Sequence, residues 1–141
     1  MASTTSAPAT RKRVLHPGSP GMLVGGLLIV VGSLLPWIFV AGLTMSGSLP
    51  LKLWLLSSGC LAVAGALVPR RWFAIVHCAL AGLTAGVLVA WQLALLIRIS
   101  ATTDAWGAAL PSIGLVMVGG GAVVTLATAV RLVRAPGQPH P

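Results

Sequence analysis

The chain has 141 residues, of which 57% are hydrophobic and only 7% are charged, and its formal net charge at pH 7 is +8. Soluble domains are usually about a quarter charged, so the composition excludes an ordinary soluble fold and indicates that lipid covers much of the chain. The basic residues stand at the ends of apolar runs and form no stripe among aromatic side chains, which argues against nucleic-acid binding.

The N-terminal segment, residues 1–20, is polar and carries the basic cluster Arg11–Arg13. It offers too little apolar surface to order itself, so we predict a disordered tail that acts as a cytoplasmic topology anchor. The first apolar run, residues 21–41, is long enough to span a bilayer. A secretory signal is the alternative, but no small-residue cleavage site follows the run, and we favour a retained span.

Residues 42–50 are rich in glycine and serine and predict a loop. The second apolar run covers residues 51–68 and ends at a predicted tight turn, Pro69–Arg71, because proline cannot continue a helix interior. The third run, residues 72–97, is the longest and should tilt or project beyond the bilayer.

A loop is predicted for residues 98–110, followed by a fourth apolar run over residues 111–130. Pro111 suits the first turn of a helix, where its missing N–H has no partner to lose. The proline-containing segment 131–141 predicts a second disordered tail. The sequence therefore predicts an all-α, polytopic membrane protein with a four-helix transmembrane bundle over residues 21–130.

Basic residues are distributed unequally between the two sides of this bundle, seven on the side of the N-terminus against Lys52 and Arg98 on the other. The seven are Arg11, Lys12, Arg13, Arg70, Arg71, Arg131 and Arg134. Positive charge collects on the cytoplasmic side, so we predict an N-in/C-in, multi-pass protein of the cytoplasmic membrane that contacts anionic lipid at its inner face.

The third run contains small residues at every fourth position, which predicts a face where another backbone comes close. These candidate helix-packing residues are Ala74, Cys78, Gly82, Gly86, Ala90 and Ala94. The first and fourth runs offer further small rows: Gly21, Gly25 and Gly32, and Gly114, Gly121 and Thr128. We interpret the rows as packing within the monomer, with a homo-oligomer interface as the alternative.

His77 lies inside the third run beside Cys78, and Cys60 stands at similar depth on the preceding run. A soft-metal site is one hypothesis for the three residues. We favour a neutral histidine bonded to a backbone carbonyl, because adjacent residues on a helix point about 100° apart. Gln92 is expected to form an interhelical hydrogen bond.

Tryptophans mark the ends of the runs, and interfacial belts account for Trp37, Trp54 and Trp72. Trp106 lies in the loop beside Asp104, the only acidic residue of the chain, where a belt explains it less well. We therefore hypothesise an outer contact with a partner at Asp104 and Trp106. The alternative is that Trp106 lies on the headgroups and Asp104 is solvated or caps a turn.

Residues for chemistry are scarce. One acid in the chain excludes a carboxylate pair, and no nucleophile stands with a base, so we predict no enzyme, cofactor or metal site. The spans carry no Asp, Glu, Lys or Arg at their centres, which argues against coupled transport. Small multidrug resistance transporters are similar in size, but their membrane glutamate in the first helix has no counterpart here.

Several short segments carry a resemblance: Gly32–Trp37, Ser46–Gly47, Ile113–Leu115 and Gly119–Gly120. In these segments the chain resembles a group of four-helix membrane proteins of actinobacteria to which no activity is assigned. The resemblance covers the four spans, implies the same fold and implies no reaction. A small accessory or structural membrane protein that contacts lipid or another membrane protein is therefore the expected function. The alternative is a small oligomeric channel, holin-like pore or transporter.

Overall fold

The computed structural model of the protein describes residues 18–104, 106–107 and 109–135. It contains four α-helices, namely α1 (Ser19–Leu34), α2 (Leu49–Leu67), α3 (Arg71–Thr103) and α4 (Ile113–Arg134). Three short strands complete it, namely β1 (Ile38–Val40), β2 (Leu43–Met45) and β3 (Ala109–Pro111). The four predicted helices are all present. The two predicted tails lie mostly outside the described residues, but positions 19–20 and 131–134, which we assigned to the tails, are helical.

The helices form a ring in which α1 and α3 each pack against both α2 and α4. Consecutive helices are joined by short connections, so they run up and down alternately. One end of the bundle holds the start of α1, the α2–α3 turn and the end of α4, and we name it the turn end. The opposite end holds all three strands, and we name it the sheet end.

Three of the helices, α2, α3 and α4, are long and apolar enough to cross a membrane. Helix α1 is apolar but has only 16 residues, which corresponds to a length of about 24 Å. A hydrocarbon core is about 30 Å thick, so α1 falls short of the usual length for a span. The chain is therefore a helix bundle with three candidate spans, and the fourth stays a prediction.

The first helix ends earlier than predicted, at Leu34 and not at Ala41. Pro36 gives the reason, because the ring of a proline pushes the preceding residue out of the helical region. Leu35 accordingly has extended geometry, with φ −78° and ψ 163°. The helix prediction was wrong for residues 35–41, which stay apolar but form extended chain, the strand β1 and, at Ala41, the first residue of a turn.

The three strands form an antiparallel sheet in the order β2–β1–β3, which was not predicted from the sequence. A two-residue turn joins β1 to β2, and both of its residues have positive φ, 47° at Ala41 and 86° at Gly42. Positive φ at both positions is the mark of a type I′ hairpin. The predicted loop over residues 42–50 was therefore wrong at β2, and also at residues 49–50, because α2 begins at Leu49 and not at residue 51.

Helices α3 and α4 also differ from their predicted bounds. Helix α3 continues past Ile97 and ends at Thr103, with Asp104 in left-handed geometry at its C-cap (φ 51°). Pro111 is the last residue of β3 and not the first turn of α4, which begins at Ile113 after the N-cap Ser112. Pairing of β3 with β1 holds Pro111 in extended geometry, which overrides its suitability for a helix start.

Small residues occupy many of the positions where helices meet inside the bundle, and many large apolar side chains face outward. Ala62, Cys78 and Ala85 are examples of the inner positions and are completely buried. Leu83 and Val87, on the outside of α3, are more than half exposed. This distribution is typical of helices that associate in lipid, where backbones approach through small residues.

Candidate functional site

A close helix contact joins α1 to α4 through glycines. A Cβ atom on Gly121 would lie 2.7 Å from the Gly25 carbonyl oxygen, and one on Gly32 would lie 2.8 Å from the Gly114 carbonyl oxygen. Any larger residue would push the two backbones apart, because real Cβ atoms do not approach so closely. The structure thus brings together the small rows of the first and fourth helices, in favour of packing inside the monomer.

A second glycine contact joins α1 to α2. Cβ atoms built on Gly26 and Gly59 would each lie 3.0 Å from the carbonyl oxygen of the other residue. Helix α1 therefore has two glycine faces, one for each neighbour. This contact was missed at the level of the sequence because Gly26 and Gly59 belong to no regular row.

The small row on α3 faces the bundle only at its beginning. Ala74, Cys78 and Gly82 are buried, Gly86 is half-buried, and Ala90 and Ala94 are exposed. A Cβ atom on Gly86 would have its nearest neighbour 3.9 Å away, so this position is not tightly packed. Steps of four residues turn a helix by about 400°, so the row drifts by about 40° at each step. The prediction of one continuous packing face was therefore wrong beyond Gly86.

Trp37 lies inside the sheet end and not in an interfacial belt, since only 1% of its surface is exposed. Its indole N–H donates to the Gly32 carbonyl at 3.2 Å. Gly47 packs so closely against the ring that an added Cβ would collide with it. The belt interpretation of Trp37 was wrong, because the chain turns back after Pro36 and places the ring over the end of the bundle.

The backbone around Trp37 joins three parts of the chain. The Trp37 N–H donates to the Met45 carbonyl at 2.9 Å, and the Trp37 carbonyl accepts from the Ser112 N–H at 2.8 Å. The Pro36 carbonyl accepts from the Gly114 N–H at 3.0 Å. Residues that carry the resemblance in the first helix, the following loop and the start of the fourth helix thus meet at one place. Gly119–Gly120 lies further along α4.

Two serine hydroxyls join neighbouring helices. Ser19 donates to the Ala66 carbonyl, linking α1 to α2, and Ser58 donates to the Ala81 carbonyl, linking α2 to α3, each at 2.9 Å. Both serines are buried. The sequence offered only a weak signal for them, a single hydroxyl beside or within an apolar run.

Arg71 contacts the end of α4 at the turn end. Its Nε donates to the Leu132 carbonyl at 3.1 Å, and its Nη2 donates to the carbonyls of Leu132, Val133 and Ala135. The last carbonyls of a helix have no partner within the helix and carry the negative end of its dipole. Arg71 therefore caps α4, a role that its interpretation as a topology anchor did not include.

His77 bonds within its own helix. The Nδ1 atom lies 2.7 Å from the Phe73 carbonyl oxygen, which requires that Nδ1 carries the proton and donates. This agrees with the favoured interpretation of a histidine bonded to a backbone carbonyl. Cys60 is exposed and Cys78 is buried, and the part of the chain that the structure describes contains no group of three metal-ligand side chains.

Gln92 is buried on α3, with 9% of its surface exposed. The expected interhelical hydrogen bond is not found among residues 18–104, 106–107 and 109–135. Burial by itself gives the amide no chemical role, so we assign none.

Asp104 and Trp106 lie close in sequence at the sheet end, and both are exposed. Asp104 is the C-cap residue of α3. No ion pair with Arg98 or Lys52 occurs within the described residues. The neighbouring sheet is largely apolar on its outer side, with Phe39 41% and Leu110 50% exposed. A partner contact at this end would therefore meet the sheet as well as the loop.

Of the depressions on the surface of the described bundle, two lie along α2, α3 and the turn between them. An apolar crevice of about 430 Å³ lies between α2 and α3, with Trp54 on one side and Trp91 on the other. A second depression of about 410 Å³ lies at the turn end and is lined by Val68, Pro69, Arg70, Phe73 and His77. We name the second one the Arg70 pocket. A charged side chain and a histidine both line it.

Comparison with known proteins gives no relative. The chain matches no family model, and neither the curated proteins nor the solved structures contain a match. The resemblance to four-helix membrane proteins of actinobacteria therefore stays a prediction, and geometry and charge are the basis for the function.

Proposed function

We propose that the chain is a small multi-pass protein of the cytoplasmic membrane that acts through contacts with lipid or another membrane protein, and that it is not an enzyme. The observation that carries the proposal is the arrangement of side chains, with small residues at the helix contacts and large apolar ones outside. Exposure of so large an apolar surface to water is unfavourable. Lipid or the helix of a partner protein would cover it.

The relation of α1 to α4 supports a fourth span. Glycine contacts between the two helices begin near Gly25 and Gly121 and continue to Gly32 and Gly114. Just before α1, Gly18 lies against the side chain of Leu132, near the last turn of α4. Helix α1 therefore lies beside α4 over almost the whole length of a helix that is long enough to cross, and the apolar segment after Leu34 extends it.

The distribution of charge supports the N-in/C-in orientation. Among the described residues, four arginines stand at the turn end, namely Arg70, Arg71, Arg131 and Arg134. Lys52, Arg98 and the acidic Asp104 belong to the sheet end. Positive charge near the ends of spans stays on the cytoplasmic side, so the turn end is the cytoplasmic one.

The interior of the bundle is filled with side chains, which argues against a pore through a single chain and supports a function in contacts. Ile29, Trp37, Leu55 and Val118 close the sheet half of the core, and each is at most 1% exposed. A pore would then need several copies of the chain, which keeps the oligomeric channel as the competing hypothesis.

Flux measurements separate the two hypotheses. We expect full-length protein reconstituted in liposomes to release no entrapped ions beyond protein-free liposomes. A leak that rises with the protein-to-lipid ratio would contradict the proposal and favour an oligomeric pore.

Crosslinking in native membranes then identifies the contact. A photoreactive residue is placed at Trp106 on the sheet end and, in separate variants, at the outward-facing positions Val87 and Val123. We expect a discrete protein adduct from one of these surfaces, or lipid adducts alone from the helix faces. Neither protein nor lipid adducts from any position would contradict insertion in the membrane.

A further inference from the structure

The Arg70 pocket, at the turn end of the bundle, is lined by aliphatic, aromatic and cationic side chains. Val68 and Pro69 come from the α2–α3 turn, whereas Phe73 and His77 come from the first two turns of α3. Arg70 is the N-cap residue of α3 and is exposed. The pocket is thus lined by apolar side chains together with one exposed cationic side chain and a histidine.

Helical spacing places the polar and aromatic residues of the pocket on one side of α3. Phe73 and His77 follow Arg70 by three and seven residues, and steps of three and seven return to nearly the same face. The Phe73 and His77 rings are near each other, with centroids 6.3 Å apart. Seven residues correspond to a rise of about 10 Å. The pocket therefore extends from the arginine at the bundle end towards the middle of α3.

Arg70 and Arg71 are adjacent in sequence but have different surroundings. Arg71 donates to the last carbonyls of α4. The Arg70 side chain has no hydrogen-bond or ion-pair partner among residues 18–104, 106–107 and 109–135. The single acidic side chain of the whole sequence, Asp104, stands at the sheet end, so no carboxylate side chain is within reach of Arg70.

We propose that the Arg70 pocket binds the phosphate of an anionic phospholipid of the cytoplasmic leaflet, with Arg70 as its cationic ligand. Guanidinium groups bind phosphate oxygens through paired, charge-assisted hydrogen bonds. The apolar lining from Val68, Pro69 and Phe73 contacts the lipid next to its phosphate, and His77 lines the same pocket one turn further along α3 than Phe73. This inference rests on the proposed membrane location and names the lipid contact within it.

Charge complementarity selects this occupant over another protein helix. The occupant has to supply an anion to Arg70 at the bundle end and an apolar surface to Phe73 further in, and a phospholipid carries these two parts in that order. A phosphate at this place also lies near the positive end of the α3 dipole, whose first turn contains no acidic residue. An inner-leaflet lipid therefore matches both the chemistry and the direction of the pocket.

The test uses full-length protein in a neutral detergent, with thermal unfolding followed as phosphatidylglycerol or phosphatidylcholine is added. A ligand that binds only the folded state raises the melting temperature by an amount that grows with its affinity and concentration. We expect phosphatidylglycerol to stabilise the parent and phosphatidylcholine to do so much less. Inorganic phosphate at the same concentration should have little effect, because it lacks the apolar part.

Arg70→Ala and Arg134→Ala are the matched variants, since each removes one positive charge from the turn end. We expect Arg70→Ala to weaken the apparent affinity for phosphatidylglycerol by roughly tenfold or more, the effect of losing charge-assisted hydrogen bonds. Arg134→Ala should keep the response of the parent, and Arg70→Lys should retain part of it.

Two results would overturn the lipid site. An equal loss of response in Arg70→Ala and Arg134→Ala would mean that total charge, and not the pocket, attracts the lipid. An unchanged response in Arg70→Ala would place the lipid elsewhere. Neither result affects the flux and crosslinking experiments, so the broader function can stand when the lipid site fails.

Discussion

Trp37 is fixed at the sheet end by contacts from the helix before it and the loop after it. Its indole bonds to Gly32, its backbone N–H bonds to Met45, and its ring leaves room for no side chain at Gly47. A large aromatic in such surroundings contributes most of its stabilisation through burial and packing. Trp37 therefore acts as the central packing residue of this end of the bundle.

Replacement of Trp37 should be strongly destabilising. We expect Trp37→Ala to lower the free energy of unfolding in detergent by roughly 3 kcal/mol or more, because it leaves a cavity beneath the sheet. Trp91→Ala is the control, since Trp91 is 70% exposed, and it should cost less than about 1 kcal/mol. Thermal or denaturant unfolding of the two purified variants measures the difference, and equal losses would contradict the packing role.

The two adjacent arginines at the turn end show how neighbours in sequence acquire separate roles. Arg71, at the first position of α3, reaches the C-terminal carbonyls of α4. Arg70 lines the pocket at the turn end. A pair of arginines after proline gives one topology signal in the sequence. Only the position of α4 distinguishes Arg71, which caps that helix, from Arg70, which lines the pocket.

Helix α1 is the shortest of the four helices, yet it makes close backbone contacts with both of its neighbours. Gly25 and Gly32 face α4, and Gly26 faces α2. Because large side chains are absent at these positions, carbonyl oxygens of one helix approach the Cα atoms of the next. Close approach of backbones is a main source of helix association in lipid, where no hydrophobic force between helices exists.

Two neighbouring glycines on α4 provide a matched test of this contact. Gly121 faces α1, where a Cβ would lie 2.7 Å from the Gly25 carbonyl oxygen, whereas nothing lies within 4 Å of a Cβ on Gly120. We expect Gly121→Ala to destabilise the protein by about 1–3 kcal/mol, the range for over-packed sites. Gly120→Ala should leave stability unchanged or raise it by up to about 1 kcal/mol, because alanine is the better helix former.

The same unfolding assay compares both variants with the parent. Each substitution adds one methyl group to the same helix, so composition and hydropathy change identically. Equal stability of the two variants would mean that α1 and α4 are further apart than the structure places them.

Helix α3 explains why a row of small residues is an incomplete guide to packing. Its buried positions form a line that faces the other helices and includes Ala74, Cys78, Ala81, Ala85 and Leu96. Steps of three and four alternate along such a line, as they must on a helix with 3.6 residues per turn. A row with steps of four alone leaves the line after about three turns, and so Ala90 and Ala94 lie outside it.

On the scale of the whole molecule, the two ends of the bundle differ in structure and in charge. The turn end carries four arginines of the described helix termini, whereas the sheet end carries a small sheet over the core. The difference predicts one orientation in the membrane, with the arginines in the cytoplasm. It also predicts that residues at the two ends react differently with reagents that cannot cross the membrane.

Cysteine labelling in intact cells checks the orientation. Cys60, the exposed native cysteine, is replaced by alanine, and Cys78 is retained because it is buried. We expect Thr102→Cys, at the sheet end, to react with an impermeant thiol reagent, and Ala135→Cys, at the turn end, to react only after permeabilisation. The Cys60→Ala parent gives the background, and the opposite pattern would place the turn end outside the cell.

The four helices could be predicted from the sequence, since apolar runs of sufficient length leave few alternatives. Part of the packing could be predicted as well, because Gly25, Gly32 and Gly121 belong to rows that face each other in the structure. The sheet could not, since each strand has only three residues and lies in an apolar or glycine-containing segment without clear alternation. The Arg70 pocket could not be predicted either, because the position of α4 decides which of the two adjacent arginines caps that helix and which one lines the pocket.

The sequence by itself determined that the protein is all-helical with apolar helices long enough to cross a membrane, because hydropathy is a local property of each segment. It determined the number of helices, and its arginines predict which end of the bundle faces the cytoplasm. Only the tertiary structure decided that Trp37 is a core residue, that Arg71 caps α4 and that Arg70 lines a pocket. These assignments depend on contacts between segments far apart in the chain, such as Arg71 with Leu132, and no local pattern encodes such contacts.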